Sequence, residues 1–470
     1  MSARRCAAAA VVAATVLSGC ASFSPDGGID DVRRLAQERV GTPARALRAP
    51  GESGDARAAA EALLRQPLSA DAAVEIALLN NPALQGRLAE LGIVEADLVQ
   101  SGRLRNPVFA YSNKRNAHAT TIDRAFLVSL ASLVTMPLAV EIEQRRFEEA
   151  KVAAAAEVVA TAAAARQAYY RAVAAQEMVA YFAQVKEAAE TGAELARRMA
   201  QVGNFSKLAH MREQAFYADA TAQLARAELA AVVEREQLTR LLGIGADAPS
   251  FTLPPRLPAL PPAPAALDAA LQTAMDRRLD VQLAKLEAES VAKGLGLVRA
   301  TRFVNVLDVG YTNESETGES RKNGYEVVLE LPLFDWGEAR VARAEAQYRQ
   351  ALARTAATAV NARSEVRESY AAYRTAYDVA RHYRDEIVPL RKRIADETLL
   401  RYNGMLIGVF ELLADAREQV ASVNAAIEAA RDYWVADTAL QLALAGKSSG
   451  GGPAVRGAVP ARAAAPAGGH

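Results

Sequence analysis

The chain has 470 residues, with 55 basic and 55 acidic side chains and two cysteines. This balance of charge gives no support to nucleic-acid binding. No stretch after the first twenty residues holds eighteen consecutive apolar side chains, so the sequence predicts no transmembrane helix.

The N-terminal residues have the pattern of an export signal. Arg4 and Arg5 precede an apolar run that is too short to span a bilayer as a helix, and small residues then lead to Cys20. We therefore expect a lipoprotein: residues 1–19 are cleaved, and a covalent lipid on Cys20 is the only non-protein group. The alternative is an ordinary cleaved signal with an incidental cysteine. Since Cys6 lies within the signal, the mature chain can form no disulfide.

The rest of the chain divides into two repeats with the same layout. Alternation of apolar and polar residues predicts strands, and long proline-free stretches rich in Ala, Glu, Arg and Leu predict long helices. In chain order, the predicted parts are an extended segment over 20–66; a first repeat over 67–245 with a helix, strands near 107–113 and 124–134, and a helical hairpin over 138–242; a Pro-rich linker over 246–266; a second repeat over 267–446 with a helix, strands near 303–313 and 324–331, and a helical hairpin over 333–446; and a disordered tail over 447–470.

Prolines and glycines recur with a period near 200 residues. Pro332 follows Pro137 by 195 residues, and both stand where a strand leads into a predicted helix, a position that tolerates proline. Gly404 follows Gly203 by 201 residues, and each breaks a helical stretch near its middle. Glycine tolerates the left-handed conformation that a helix stop requires, so each stretch is predicted to be a hairpin. The period indicates a duplicated half-molecule.

The returning arm of each hairpin carries an apolar seam with alternating spacings of three and four residues. Such a seam is expected to face a partner helix. The first seam is Leu208, Met211, Ala215, Ala218, Ala222, Ala225, Leu229 and Val232; the second is Leu406, Val409, Leu413, Ala416, Val420, Val423, Ile427, Ala430 and Trp434.

Four predicted strands are too few for a membrane sheet to close on itself. In lipid, unpaired strand edges cannot bond to water, and single-chain barrels begin at about eight strands. If these strands cross a membrane, several chains must share one barrel.

Four stretches resemble motifs of the TolC-like outer-membrane efflux channels. Residues 77–84 resemble the family's Asn-Pro-x-Leu helix opening, and 277–283 resemble its Arg-Pro-Asp-Leu, with Leu279 in place of proline. Residues 329–337 are similar to Leu-Pro-Leu-Phe-Asp-x-Gly, the most specific match, and 402–413 resemble the family's helical-tip turn.

The resemblance implies a mainly α fold with a small β part. Duplicated coiled-coil hairpins and two β-hairpins per chain would trimerise into a 12-stranded outer-membrane barrel on an α-helical periplasmic tunnel. The implied partners are two further copies, outer-membrane lipid, a periplasmic adaptor (membrane fusion) protein and an inner-membrane pump of the RND type. Such a channel moves substrates passively and is not an enzyme. The four scattered histidines have no partner at metal-ligand spacing, so no metal site is predicted.

The resemblance also implies roles for the helical tips. The residues expected to seat the adaptor are Gly203, Asn204, Phe205, Ser206, Lys207, Met405, Leu406, Ile407, Gly408 and Val409; the expected gate residues are Tyr402, Glu411 and Asp415. The second tip departs from the family pattern, with Met405 at the usual glycine and Ile407 where some members have arginine, so an ionic lock at that position is not expected.

Two other functions stay open on sequence grounds. One is the channel of a type I protein secretion system, because the adaptor and pump choose the cargo. The other is a lipoprotein scaffold of coiled coils that forms no channel. A plain scaffold would need neither the two amphipathic strand pairs nor the motif at residues 332–337.

Overall fold

The computed structural model of the chain describes residues 22–41, 52–115, 118–245, 250–265, 277–303 and 306–446. The proposed signal peptide, Cys20 and the C-terminal tail lie outside these residues. The described part is mainly helical with one small antiparallel sheet, which confirms the predicted fold class. No helix among the described residues is both long and apolar enough to cross a membrane.

The elements after residue 66 follow the duplicated layout. Residues Ile29–Val40 and Glu52–Leu64, within the segment predicted to be extended, form helices instead, so that prediction was wrong. In chain order they are α1 (Ile29–Val40), α2 (Glu52–Leu64), α3 (Ala70–Asn80), α4 (Pro82–Ser101), β1 (Val108–Arg115), β2 (Thr120–Ser129), α5 (Leu130–Gln201), α6 (Lys207–Leu242), α7 (Leu279–Ala300), β3 (Leu307–Glu316), β4 (Lys322–Leu329), α8 (Glu338–His382), a π-helical turn (Tyr383–Ile387), α9 (Val388–Asn403) and α10 (Val409–Ala445).

The first descending helix starts earlier than predicted. Helix α5 begins at Leu130, inside the segment expected to be a strand, and its 72 residues give a rod roughly 108 Å long at about 1.5 Å per residue. Pro137 therefore lies inside the helix and not in its first turn, so the predicted position of the strand-to-helix exit was wrong. A proline there removes one intrahelical hydrogen bond, which this long helix tolerates.

The second descending arm starts later than predicted. Helix α8 begins at Glu338, so Pro332 lies in the irregular connection after β4 and opens no helix. Pro389 instead stands at the start of α9, directly after the π-helical turn. Since proline has no N–H to donate, the wider turn before it is a physically reasonable place for this residue.

The four strands form one antiparallel sheet in the order β1-β2-β3-β4. The register pairs Phe109 with Phe126, Phe126 with Tyr311, and Tyr311 with Tyr325. These four aromatic side chains therefore form a row across one face of the sheet.

The two faces of the sheet differ in polarity. On one face lie Phe109, Tyr111, Phe126, Val128, Leu307, Val309, Tyr311, Tyr325, Val327 and Leu329. On the other lie Lys114, Asp123, Asp308, Glu314, Lys322 and Glu326. The sheet is thus amphipathic, as predicted, and its apolar side chains are largely exposed in the single chain.

Helix α6 carries two apolar stripes, and the predicted seam is the outer one. The buried stripe that packs toward α5 includes Ala209, Ala220, Ala227 and Leu238. The predicted seam faces away: the exposed fractions of its four large residues are 56%, 53%, 65% and 58% for Leu208, Met211, Leu229 and Val232. The partner helix expected to cover that seam is therefore not α5, and its identity stays a prediction. The second seam, on α10, is half-buried or buried from Leu413 onward.

The Pro-rich linker is a strap that is bonded across the helices. Its described part, residues 250–265, contacts both repeats. The contacts are Arg235 Nη2 to Phe251 O at 2.6 Å, Leu68 N to Thr252 O at 2.8 Å, Leu257 N to Glu177 Oε2 at 3.1 Å, Trp434 Nε1 to Pro258 O at 3.1 Å, Tyr377 Oη to Pro261 O at 3.1 Å, and Ala265 N to Tyr373 Oη at 2.9 Å. The strap joins the two hairpins about halfway between the sheet and the helical tips.

Candidate functional site

The first tip ends α5 with a Schellman turn. The N–H of Asn204 donates to the carbonyl of Met199 at 2.9 Å, and the N–H of Gly203 donates to Ala200 at 3.2 Å. Gly203 takes the left-handed conformation, with φ of 80°. Ser206 caps α6, since its hydroxyl accepts from the N–H three residues later.

The second tip ends α9 with the same turn. The N–H of Leu406 donates to Arg401 O at 2.9 Å, and that of Met405 donates to Tyr402 O at 3.0 Å. Gly408 stands at the N-cap of α10, in the place that Ser206 has at the first tip. The two tips are therefore structural equivalents, with Met405 matching Gly203.

The left-handed residue of the second tip is a methionine and not the expected glycine. Gly404 has φ of −77°, whereas Met405 has φ of 57° and is the one described residue other than glycine with a positive φ. A side chain in this conformation costs roughly 1–2 kcal/mol. Met405 and Leu406 are 93% and 77% exposed, so neighbouring side chains in the chain do not offset that strain.

Met405→Gly is expected to stabilise the second tip by about 1 kcal/mol, because glycine adopts this conformation without strain. Amide hydrogen exchange at residues 405 and 406 measures the effect, and slower exchange is the expected result. The reciprocal variant, Gly203→Met, should speed exchange at the first tip. Unchanged exchange in both variants would contradict the strain assigned here.

The other expected tip residues lie at the same end of the hairpins. Asn204, Lys207 and Gly408 are exposed, and Phe205 and Ile407 are half-buried. Helix α10 begins at Val409, whose side chain is outside the described set. The adaptor role of all these residues stays a prediction.

The predicted gate residues are not joined to one another. Glu411 is exposed, and Tyr402 and Asp415 are half-buried. Within the described residues of one chain, no hydrogen bond or ion pair connects these three side chains. Their role as a gate therefore needs a neighbouring copy and stays a prediction.

Arg417, which sequence reasoning missed, connects the two hairpins above the tips. It lies on α10; its Nη2 donates to the carbonyl of Arg212 on α6 at 3.3 Å and lies 3.8 Å from Glu213 Oε1. Its guanidinium also lies 4.7 Å from the ring centre of Phe216. Glu213 is buried; burial raises the pKa of its carboxyl, and the positive charge of Arg417 opposes that shift.

A joint at mid-height closes the first repeat. Buried Asn81 caps α4, because its Oδ1 accepts from the N–H groups two and three residues later, and its Nδ2 donates to Leu241 O at 2.8 Å. Asn80 Nδ2 donates to Gly243 O at 2.7 Å. Gly243 ends α6 with φ of 65°. The start of α4 is thus bonded to the end of α6.

The second repeat has an equivalent joint built on a buried arginine. Arg278 precedes α7 and is fully buried. Its guanidinium contacts are Ala443 O at 2.6 Å, Asp280 Oδ2 at 2.6 Å, Glu365 Oε2 at 2.8 Å and Ala362 O at 3.3 Å. Gly446 ends α10 with φ of 90°. The motif at 277–283 therefore has a structural reason: its arginine ties the start of α7 to α8 and α10.

No cluster of three or more potential metal ligands occurs in the part of the chain that the structure describes. The described geometry offers surfaces, joints and an amphipathic sheet as its functional features.

Comparisons with known proteins agree with this geometry. Residues 270–446 match the family described as outer membrane efflux protein. Among solved structures, the chain is similar to the outer-membrane channel OprN (18% identity, 88% of this chain and 95% of that chain, TM-score 0.70). It is also similar to VceC of Vibrio cholerae (17%, 80% and 96%, 0.68) and to the open state of the Neisseria gonorrhoeae channel MtrE (16%, 80% and 88%, 0.66). A search of the characterised proteins found no match.

Because the sequence identities are low, the similarity to these structures establishes only the fold. The family match covers the second repeat. Both agree with the motifs read from the sequence. Residues 270–446 match the outer membrane efflux protein family, and the chain as described has the fold of the TolC-like outer-membrane channels.

Proposed function

We propose that this protein is the outer-membrane channel of a tripartite efflux system in a Gram-negative bacterium. The observation that carries this function is the combination of an amphipathic four-stranded sheet with two long helical hairpins in the fold of known outer-membrane channels. The channel is a passive duct from the periplasm to the outside and catalyses no reaction.

The channel is a trimer. Strands β1 and β4 are the two edges of the sheet, and their unpaired backbone groups need partners in lipid. A neighbouring copy supplies them, and three copies supply twelve strands. The outer stripe of α6, with Leu208, Met211, Leu229 and Val232, supports the same assembly below the membrane, since it is apolar and has no partner within the described chain.

The N-terminal segment supports anchoring by a lipid. Ser24 N donates to Glu95 Oε1 at 2.6 Å, and the Ser24 hydroxyl bonds to the same carboxylate. Lys151 Nζ, which is nearly buried, bonds to Asp31 at 2.9 Å and to Glu148 at 2.7 Å. These contacts hold the chain against α4 and α5 from a point four residues after Cys20, so a lipid on Cys20 is tethered close to the body of the channel.

The two tips seat a periplasmic adaptor protein, which links the channel to an inner-membrane pump of the RND type. The exposed, apolar Met405 and Leu406 support a protein contact at the second tip. A type I secretion system would use the same duct with another pump. The genes beside this one, above all the type of pump encoded there, distinguish these assignments.

Electrophoresis and reconstitution test the channel function together. The purified lipoprotein should run as an SDS-resistant, heat-modifiable band at about three times the monomer mass, and it should conduct ions in planar bilayers. Deletion of the gene should sensitise the bacterium to the pump's substrates. A monomeric protein without conductance would instead favour the coiled-coil scaffold.

Arg417→Ala should raise the conductance of the closed channel several-fold, because the variant loses the contact between α10 and α6 above the tips. Single-channel recording in planar bilayers measures this. Arg391→Ala is a matched control, since Arg391 pairs with Glu418 at 3.1 Å between α9 and α10 of the same hairpin. Equal conductance of the wild type and Arg417→Ala would show that the contact of Arg417 with α6 does not keep the channel closed. In a separate experiment, Glu411→Ala tests the gate role predicted for Glu411.

A further inference from the structure

The apolar face of the sheet is too short to cross an outer membrane by itself. On β3, the apolar side chains of this face run from Leu307 to Tyr311. The next two side chains on the same face, Asn313 and Ser315, are polar. Four residue steps cover about 14 Å along a strand, or about 11 Å of height at a tilt of about 40°. The apolar band of outer-membrane proteins is about 25 Å tall. More than half of the required height is missing.

The missing height cannot lie beyond the outer end of the sheet. The row after Tyr311 on the same face contains Arg124, Asn313 and Asn323 beside Tyr111 of β1. Arg124 Nη1 donates to Asn313 Oδ1 at 3.1 Å, and Asn313 Nδ2 donates to Asn323 Oδ1 at 2.7 Å. This polar row marks the outer limit of the apolar face. The extension must therefore lie at the periplasmic end, where the strands lead into helices.

The first junction, from β2 into α5, continues the apolar surface. No charged residue occurs between Arg124 and Glu141. In the first turns of α5, Leu133, Val134 and Leu138 are exposed, and Val134 is the most exposed of them at 75%. Helix α5 therefore exposes apolar side chains directly below the sheet.

The polar groups of this first junction are satisfied within the helix. Ser132 Oγ donates to Ser129 O at 3.0 Å, and Thr135 Oγ1 donates to Ala131 O at 2.8 Å. Hydroxyls bonded in this way suit an apolar environment, in which an unbonded polar group is costly. The uncharged stretch 130–140 adds about 16 Å of helix at about 1.5 Å per residue. Together with the strands, it supplies about 27 Å, close to the required height.

The second junction, from β4 toward α8, lies at the same level. The register pairs Leu307 with Leu329 and Ser129 with Asp308, so the end of β4 is level with the start of α5. The segment after β4 exposes four large apolar side chains: Leu331 at 64%, Leu333 at 68%, Phe334 at 99% and Trp336 at 55%.

An arginine stands at the lower edge of this second junction. Arg302 Nε donates to the carbonyl of Trp336 at 2.9 Å, and its guanidinium lies 5.0 Å from the ring centre of Phe303. Aromatic side chains beside basic ones are typical of the headgroup level of a membrane, where an apolar body and a polar tip are both accommodated. The edge near Trp336 therefore has the composition of a membrane–water interface.

We propose, on the basis of the outer-membrane function above, that both junctions lie in the inner leaflet of the outer membrane. The phospholipid acyl chains contact the first turns of α5 together with Leu331, Leu333 and Phe334. Trp336 and Arg302 lie at the level of the lipid headgroups. The strands alone form the outer part of the membrane-crossing surface, and the strand-to-helix junctions form its inner part.

The two tryptophans of the chain allow a direct test. The sequence contains only Trp336 and Trp434; Trp434 lies at mid-height of the tunnel, where it bonds to the strap and stacks on Tyr170 at 5.1 Å. The full-length trimer with Trp434→Phe is reconstituted into phosphatidylcholine vesicles that carry bromine at defined acyl positions. Fluorescence quenching then reports the depth of Trp336 alone. Trp336→Phe is the matched control, and its remaining Trp434 should not be quenched.

We expect shallow bromines, near the headgroup, to quench Trp336 severalfold more than deep ones. A third variant, Tyr311→Trp in the background without both native tryptophans, reports the outer end of the apolar face and should also be quenched by shallow bromines. Quenching at position 311 without quenching at Trp336 would overturn the proposal and leave the channel function intact. Absence of quenching at both positions would overturn the channel function as well.

Discussion

Arg278→Ala is expected to lower the free energy of unfolding by about 3–5 kcal/mol, the range found when one partner of a buried ion pair is removed. Arg278 is fully buried between two carboxylates, Asp280 at 2.6 Å and Glu365 at 2.8 Å, and it also bonds to the carbonyl of Ala443. Alanine would leave both carboxylates without their cation and free the end of α10 from the start of α7. Denaturant unfolding of the detergent-solubilised protein measures the change.

An exposed ion pair provides the control for this prediction. Arg354 Nη1 lies 3.2 Å from Glu287 Oε1 between α8 and α7, and both side chains are substantially exposed. Arg354→Ala should change stability by less than about 1 kcal/mol, because exposed pairs contribute little. If both variants unfold at the wild-type denaturant concentration, Arg278 does not hold the joint.

Gly243→Ala should destabilise the first repeat by about 2–4 kcal/mol, since it adds a backbone clash to a strained conformation. A Cβ at this position would lie 2.3 Å from Asn80 O and 2.8 Å from Asn80 C, and φ is 65°. The obstructing atoms belong to the backbone of Asn80, at the end of α3, so they cannot rotate away as a side chain could. Thermal unfolding of the variant should begin at a lower temperature than that of the wild type.

Gly86→Ala is the matched control for Gly243→Ala. Gly86 lies inside α4, and a Cβ there would meet nothing within 4 Å. Alanine in a helix interior is more favourable than glycine by about 1 kcal/mol, so this variant should gain stability. A Gly243→Ala protein as stable as the wild type would show that the α6 end is not held against Asn80 in solution.

The residues at the tips show how far sequence reasoning reached. The hairpin breaks were placed correctly at both tips, because glycine and asparagine are local signals for a helix stop. The choice of the left-handed residue was correct at Gly203 and wrong at the second tip, where Met405 takes that conformation. The hydrogen bonds of the turn decide which residue is left-handed, and at the second tip they override the preference for glycine.

Contacts between residues far apart in the chain could not be predicted from the sequence pattern. Arg417 was not a candidate, because its contact with Arg212 and Glu213 crosses about 200 residues of chain. Arg278 was noticed as part of a motif, but its partners on α8 and α10 cannot be inferred from spacing. Both residues act through groups that only the fold brings within hydrogen-bond distance.

The sequence by itself determined the long helices, the two hairpin breaks, the amphipathic strands and the duplication. Each of these depends on the spacing of apolar residues and on the positions of proline and glycine, which act within a few residues along the chain. Only the tertiary structure decided which stripe of α6 packs on α5, that Pro137 lies inside a helix, and that the Pro-rich segment is a bonded strap. The physical reason is that an apolar stripe or a free carbonyl is equally satisfied by any suitable partner, and the partner is chosen when remote segments pack together.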